Sequence, residues 1–269
     1  MNKLEAVIFD WAGTVVDFGS VAPTRIFVEA FKQAYDFDVS LAEVRIPMGM
    51  GKWDHIKTLG QLPEVNQRWT TQFGQPMTDE IVDEIYRTFM PLQKAKVAQF
   101  AQPITDVLPV IDWLKKQEIK IGSCSGYPRE VMEVLVPAAA KLGYQPDCYV
   151  ASDDLNAGSR PGPWMALQNV IEMGISNVAH CIKFDDSAPG ITEGLTAGMW
   201  TVGLALTGNA VGLTESEWLA LTETEQAQLS TTAYYELSSN GAHYVVDSLA
   251  DAIPVVQDIM ARIARGERP

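Results

Sequence analysis

Cysteine, positive charge and long apolar runs are scarce in this chain, and each shortage removes a class of function. The three cysteines, Cys124, Cys148 and Cys181, have no metal-ligand spacing and sit in apolar, strand-like segments. They are therefore expected to be buried free thiols outside any disulfide framework. Lysine and arginine total 20 against 34 aspartates and glutamates, a net charge of −14. Nucleic acid and anionic membrane surfaces require clustered positive side chains, so neither is an expected partner. A small anion remains possible, because a local set of positive groups, helix N-termini or a metal ion binds one whatever the global charge. No run approaches the roughly 18 consecutive apolar residues of a membrane span. Lys3, Glu5 and Asp10 break the stretch where a signal peptide would be continuously apolar, which makes the cytoplasm the expected location. Histidine is equally rare at three residues. His180 and His243 lie inside apolar stretches and are expected to be structural.

What is present is a globular composition, 47% hydrophobic and 9% aromatic. Leu4 to Phe9 is a short apolar run that stops at Asp10 and a turn, Trp11-Ala12-Gly13-Thr14, as a buried strand would. From Ser20 to Phe100 the period is helical. Phe27, Phe31, Ala34 and Tyr35 share a face behind Pro23, and Ser40 with Glu43 forms a capping box. Pro47 should end that second helix, leaving Met48 to Lys52 as a glycine-bearing loop into a helix that runs towards Gly60. A longer helix should begin near Thr78, with a kink at Pro91. Beyond Gln102, helical stretches alternate with compact apolar runs at Ile119–Ser123, Cys148–Ala151, Val178–Phe184, Thr201–Ala205 and Ala242–Val246. That alternation predicts an α/β fold, a Rossmann-like parallel sheet covered on both faces. The expected division is a hydrolytic core of residues 1–19 and 101–269, with an all-helical cap of residues 20–100 inserted after the first strand.

Ligands of open parallel sheets bind beyond the carboxyl ends of the strands, so the residues after each apolar run carry the functional information. They are Asp10, Ser125 with Gly126, Arg160, and the pair Asp185-Asp186. A carboxylate able to attack, a hydroxyl and a cation able to hold a phosphoryl group, and carboxylates suited to a hard divalent ion together spell phosphoryl transfer. In order and spacing these motifs resemble those of the haloacid dehalogenase superfamily. Asp10-Trp11-Ala12-Gly13-Thr14, Pro47-Met48-Gly49 with Lys52 and His55, Ser125-Gly126-Tyr127, and Arg160-Pro161-Gly162-Pro163-Trp164-Met165 resemble, more narrowly, its phosphonoacetaldehyde hydrolase family. The resemblance runs from Ala6 to Val246.

Ala12 is the most informative position, because phosphomonoesterases of the superfamily usually carry a second aspartate there as general acid, and alanine has no proton to give. A carbon leaving group needs an electron sink instead, and an iminium ion beside the carbon provides one. Lys52, taken alone an ordinary loop lysine, can form that iminium with an aldehyde once its pKa is lowered. The resemblance implies carbon-phosphorus cleavage of phosphonoacetaldehyde, with Asp10 attacking phosphorus to give an aspartyl phosphate. It implies Mg2+ held by Asp10, the Ala12 carbonyl and Asp186, and phosphoryl oxygens held by Ser125, the Gly126 amide and Arg160. Met48 and Tyr127 would line the pocket, and His55, three residues after Lys52, would shuttle protons for the imine. A homodimer contacting through the helical insert is also implied. One departure stands out: where the superfamily often has a further acid after the metal-binding aspartate, this chain has Pro189-Gly190, leaving Asp185 or Glu193 to compensate. The competing readings are a phosphomonoesterase or phosphomutase of the same fold, and a non-catalytic ligand-binding relative.

Overall fold

The structure, a computed structural model, describes residues 3–269. Its strands are β1 (Ala6–Phe9), β2 (Lys120–Cys124), β3 (Cys148–Val150), β4 (Cys181–Asp185), β5 (Trp200–Leu204) and β6 (Tyr244–Val246). They form one sheet in the order β3-β2-β1-β4-β5-β6, with every pairing parallel. Each predicted apolar run holds one strand, although Val178–His180 is a 3-10 turn and β4 begins only at Cys181. The chain builds outwards from β1 through β2 to β3, then crosses to β4 on the other side of β1. The order therefore reverses at β1, and a crevice opens at the carboxyl ends of the central strands.

From residue 20 to residue 100 the regular elements are all helical: α1 (Val21–Tyr35), α2 (Leu41–Arg45), α3 (Lys52–Gln61), α4 (Pro63–Phe73), α5 (Asp79–Lys96) and a 3-10 turn (Val97–Phe100). The capping box is made: Glu43 N donates to Ser40 Oγ at 3.2 Å, and Ser40 N donates to the Glu43 carboxylate at 2.8 Å. α2 stops two residues before Pro47, and the loop that follows delivers Lys52 as the first residue of α3. Helix α4 escaped the sequence reading, although Pro63 at its first turn and Gly74 just past its end, at φ 79°, are ordinary helix punctuation. It is held by Trp69, fully buried, whose ring centroid lies 5.0 Å from that of Phe37 and 4.4 Å from that of Phe73. Truncating so buried an aromatic costs about 3–5 kcal/mol, so α4 is secured by packing more than by propensity.

The remaining helices, α6 (Val107–Lys116), α7 (Arg129–Lys141), α8 (Trp164–Glu172), α9 (Ala188–Ala197), α10 (Glu215–Leu219), α11 (Glu223–Ser239) and α12 (Ala252–Ala264), make the crossovers and cover the sheet. The two-residue period of β1 shows how both faces are filled. Val7 and Phe9 join the larger core with Ile121 and Phe184, whereas Ala6 and Ile8 join a second core with Met165 and Val170 of α8. Cys124 and Cys181 are buried as expected, but Cys148 is only half-buried because β3 is an edge strand with one neighbour. His180 Nδ1 lies 3.0 Å from Glu5, and His243 Nδ1 lies 2.9 Å from the Thr201 hydroxyl. Among the described residues no helix is long and apolar enough to cross a membrane.

Candidate active site

Asp10 follows β1, Ser125 follows β2, and Asp185 ends β4 with Asp186 next in the chain. Strand geometry alone brings these residues to one end of the sheet, and one carboxylate oxygen each of Asp10, Asp185 and Asp186 lies within 4.8 Å of the other two. Asp10, Ala12, Met48, Lys52, Ser125, Gly126, Tyr127, Arg160 and Asp186 line a single cavity between the strand ends and the helical segment. The cavity encloses only about 20 Å³, room for about one water molecule. His55 and Asp185 stand behind this lining. A larger open groove of about 850 Å³ follows edge strand β3 past Arg129, Tyr149 and Gln168. It has none of the strand-end carboxylates, so chemistry rather than size locates the site.

Arg160 is the hub. Its Nη2 pairs with Asp10 at 2.8 Å and with Asp185 at 3.2 Å, and its Nε pairs with Glu193 at 2.8 Å. Nη1 reaches the Gly49 carbonyl at 3.4 Å, so the same guanidinium touches the loop before Lys52. Lys183, fully buried on β4, pairs with Asp185 and lies 3.7 Å from Glu193. Neither Lys183 nor the role of Glu193 was foreseen as part of this network. A lysine inside an otherwise apolar strand was the available signal, because a buried ammonium must find a carboxylate.

Lys52 is 4% exposed. Its Nζ sits 4.9 Å from the Tyr127 ring centroid and 5.6 Å from that of Phe27. Burial, joined by the Arg160 charge, pushes its pKa down to about 7 against the opposing pull of Asp10, Asp186 and Asp17. A large fraction of Lys52 is therefore the free amine near neutral pH. His55 shares its helix face but is fully buried, stacked on Phe27 with ring centroids 3.8 Å apart. Burial and the neighbouring Lys52 charge hold it well below the ordinary histidine range, so it is a neutral ring. Asp17 was not singled out in the sequence. It accepts hydrogen bonds from Val21 N and Ala22 N at 3.3 and 3.0 Å at the start of α1, and burial raises its pKa to about 7.

Gly190 accounts for the missing acid. A Cβ placed there would overlap the Asp185 carboxylate, so the absence of a side chain at 190 is what lets Asp185 occupy this space. Asp185 is fixed there by Ser187, whose N and Oγ donate to it at 3.1 and 2.7 Å. Glu193 does not reach the carboxylate cluster; it is spent on Arg160 and Lys183. Two more contacts come from the loop after β5: Asn209 N donates to the Asp186 carboxylate at 2.8 Å, and Thr207 Oγ1 donates to the Gly13 carbonyl at 2.7 Å. The strand-end rule that singled out Asp10 applies equally to this loop.

The donor set fits a divalent cation. Two cations, Arg160 and Lys183, face four carboxylates, Asp10, Asp185, Asp186 and Glu193, an excess of two when Lys52 is neutral, and Asp186 pairs with neither cation. Burial, with repulsion from Asp185, raises Asp10 to about 6, and burial with Asp10 and Asp185 raises Asp186 well above the carboxylate range. Burial opposes ionisation of Asp185 as well, yet Arg160 and Lys183 keep its pKa lowered. Hard oxygen donors with surplus negative charge suit a hard ion such as Mg2+.

A sequence profile of haloacid dehalogenase-like hydrolases matches residues 4–198. A phosphonoacetaldehyde hydrolase of Aeromonas hydrophila is 62% identical over 268 residues, covering 100% of this chain and 96% of that protein. The chain belongs to the phosphonoacetaldehyde hydrolase family. A second member, from Klebsiella pneumoniae, is 60% identical over 269 residues, covering 100% of both chains. Among solved structures, a phosphonoacetaldehyde hydrolase-like protein from Oleispira antarctica superposes with a TM-score of 0.96 at 43% identity, covering 99% of this chain and 96% of that one. A hydrolase from Pseudomonas syringae, at TM-score 0.70 and 16% identity over 95% of this chain and 99% of its own, shares the fold alone. The family and its haloacid dehalogenase fold are those the sequence motifs implied.

Proposed function

We propose that this protein hydrolyses phosphonoacetaldehyde to acetaldehyde and phosphate, with Lys52 and Asp10 as its two covalent residues. The observation that carries the reading is a buried lysine, lowered to about 7, facing the same cavity as a strand-end aspartate whose neighbour two residues on is Ala12 rather than an acid. The Lys52 amine adds to the substrate aldehyde and, with loss of water, becomes an iminium. An Asp10 oxygen then attacks phosphorus, and the carbon-phosphorus electron pair moves into the iminium to leave an enamine. Water cleaves the aspartyl phosphate to release phosphate. The enamine is protonated on carbon, and a second water hydrolyses the resulting iminium, freeing acetaldehyde and Lys52.

Ser125, the Gly126 amide and Arg160 hold phosphoryl oxygens in this scheme, with Arg160 moving between Asp10 and the substrate. Tyr127 and Met48 pack beside the imine. The neutral, stacked His55 keeps the amine in an apolar setting and is the candidate proton shuttle. Asp10, the Ala12 carbonyl and Asp186, with Asp185 behind them, would hold Mg2+, whose charge would offset repulsion between carboxylate and phosphonate. Residues 20–100 act as a cap over the core formed by 1–19 and 101–269. Because the enclosed space is about 20 Å³, the cap opens to admit substrate. The protein works in the cytoplasm as a homodimer joined through the cap.

The test is phosphate and acetaldehyde release from phosphonoacetaldehyde with and without Mg2+, beside a panel of phosphomonoesters, together with borohydride trapping. Equimolar Mg2+-dependent products and a reduced adduct on Lys52 are expected, and Asp10→Asn should still trap the adduct while forming no phosphoenzyme. Preference for phosphomonoesters, or an adduct elsewhere, would overturn the reading.

A further inference from the structure

The loop after β5 joins two parts of the molecule that the chemistry needs to move together. Asn209 lies within it, 6% exposed. Its backbone N–H donates to Asp186 Oδ2 at 2.8 Å, a buried charge-assisted bond. Its side-chain Nδ2 donates in the opposite direction, to the carbonyl oxygen of Arg45 at 3.1 Å. Arg45 is the last residue of α2, in the helical segment, and its guanidinium reaches back to the Gly212 carbonyl of the same loop. The loop is thus fastened to the helical segment at two points and to the Asp186 carboxylate at one. Arg45 itself lines neither the cavity nor the carboxylate cluster.

A single asparagine bonded through its main chain on one side and its side chain on the other has little freedom left. When the Arg45 carbonyl moves away with the helical segment, the side chain loses its acceptor and the peptide that orients Asp186 loses a restraint. We propose that Asn209 is a positioning residue that couples closure of the helical segment to the orientation of Asp186, through a clasp with Arg45. Asp186 is held in its binding orientation when the segment is closed and released when it opens. The inference rests on the reading of Asp186 as a Mg2+ ligand, and extends it by making metal affinity depend on a residue that does not touch the metal.

The experiment is titration calorimetry of Mg2+ into the full-length protein without substrate, for wild type, Arg45→Ala, Asn209→Ala and the double variant. Hydrogen exchange of the 207–213 amides is followed in parallel. Either single substitution is expected to weaken Mg2+ binding roughly three- to tenfold, the scale of one lost hydrogen bond. The double variant is expected to be no weaker than the weaker-binding single, because each removes one of the two bonds, Asn209 Nδ2 to the Arg45 carbonyl and the Arg45 guanidinium to the Gly212 carbonyl, on which one clasp depends. Arg45→Lys, which keeps a donor towards Gly212, should recover part of the loss, and exchange at 207–213 should quicken in both alanine variants. Unchanged Mg2+ affinity in Asn209→Ala, which removes the bond to the Arg45 carbonyl, or a double variant equal to the product of the singles, would overturn the clasp. If wild type binds no Mg2+, the metal reading fails by itself, and exchange at 207–213 alone then decides: unchanged rates in Asn209→Ala would refute the coupling.

Discussion

Gly190 and Asp185 compete for one volume, and the side chain at 185 fills it because none exists at 190. Gly190→Ala should therefore push Asp185 off Ser187 and Lys183, disturb the Arg160 network and weaken Mg2+ binding by about tenfold, read by calorimetry. Wild-type affinity in that variant would show that the space is not needed. Lys52→Arg tests another property at the same scale: charge stays, but a guanidinium is neither deprotonated near neutral pH nor able to form the imine. Turnover of phosphonoacetaldehyde should fall by roughly four decades or more, the scale for loss of a covalent group, while Mg2+ affinity stays within a few-fold. Substantial turnover would remove the imine from the mechanism. The positions of Asp10, Lys52, Ser125 and Arg160 were legible because each follows an apolar run or a glycine turn. The partners of Arg160 were not: Glu193 lies on α9 and Lys183 inside β4, and only the fold sets them opposite one another.

The loop that ends in Lys52 is held by contact of backbone against backbone. A Cβ at Gly126 would stand 2.6 Å from the Met50 carbonyl oxygen and 2.9 Å from that of Gly49, so the close approach of this loop to the end of β2 requires glycine. Gly126→Ala should hold the helical segment about an ångström further out, and a misplacement of that size costs about 10²-fold in kcat/KM. The measurement is steady-state kinetics alongside borohydride trapping, with trapping expected to survive because Lys52 itself is intact. Unaltered kcat/KM would mean that the closed arrangement is not the reacting one. Elements with strong local punctuation were readable at this scale, as the Ser40 capping box and the Pro47 stop show. Helix α4 was not read because its apolar face is a single line of Val65, Trp69 and Phe73 on a polar, 11-residue helix, too sparse a pattern to register until Phe37 packs against it.

Over the whole molecule, the buried carboxylates tie stability to pH in a direction opposite to ordinary surface acids. Asp10 at about 6, Asp17 at about 7 and Asp186, held well above the usual range, all bind protons more tightly folded than unfolded. Their contribution is fully present below the unfolded carboxylate pKa and is lost as pH rises through the folded values, so metal-free protein should lose stability between about pH 5 and 7. His55 acts the other way below its unfolded value of about 6.5, because its folded pKa is depressed, but it is one group against three. Lys52, lowered to about 7, joins His55 only at the top of this window, where the folded form begins to lose its proton while the unfolded form keeps it. In the proposed site Mg2+ would bind the ionised forms of Asp10 and Asp186 and displace their protons, so its affinity should tighten as pH rises across the same window. Saturating Mg2+ should accordingly flatten the part of the stability slope due to these two residues and leave the part due to Asp17, which lies outside the carboxylate cluster. Thermal unfolding between pH 5 and 7, with chelator and with Mg2+, separates the two contributions. A chelated protein whose midpoint rises with pH would show that burial and the neighbouring carboxylates do not hold Asp10 and Asp186 above the usual range, and with that the electrostatic case for a divalent ion would be lost.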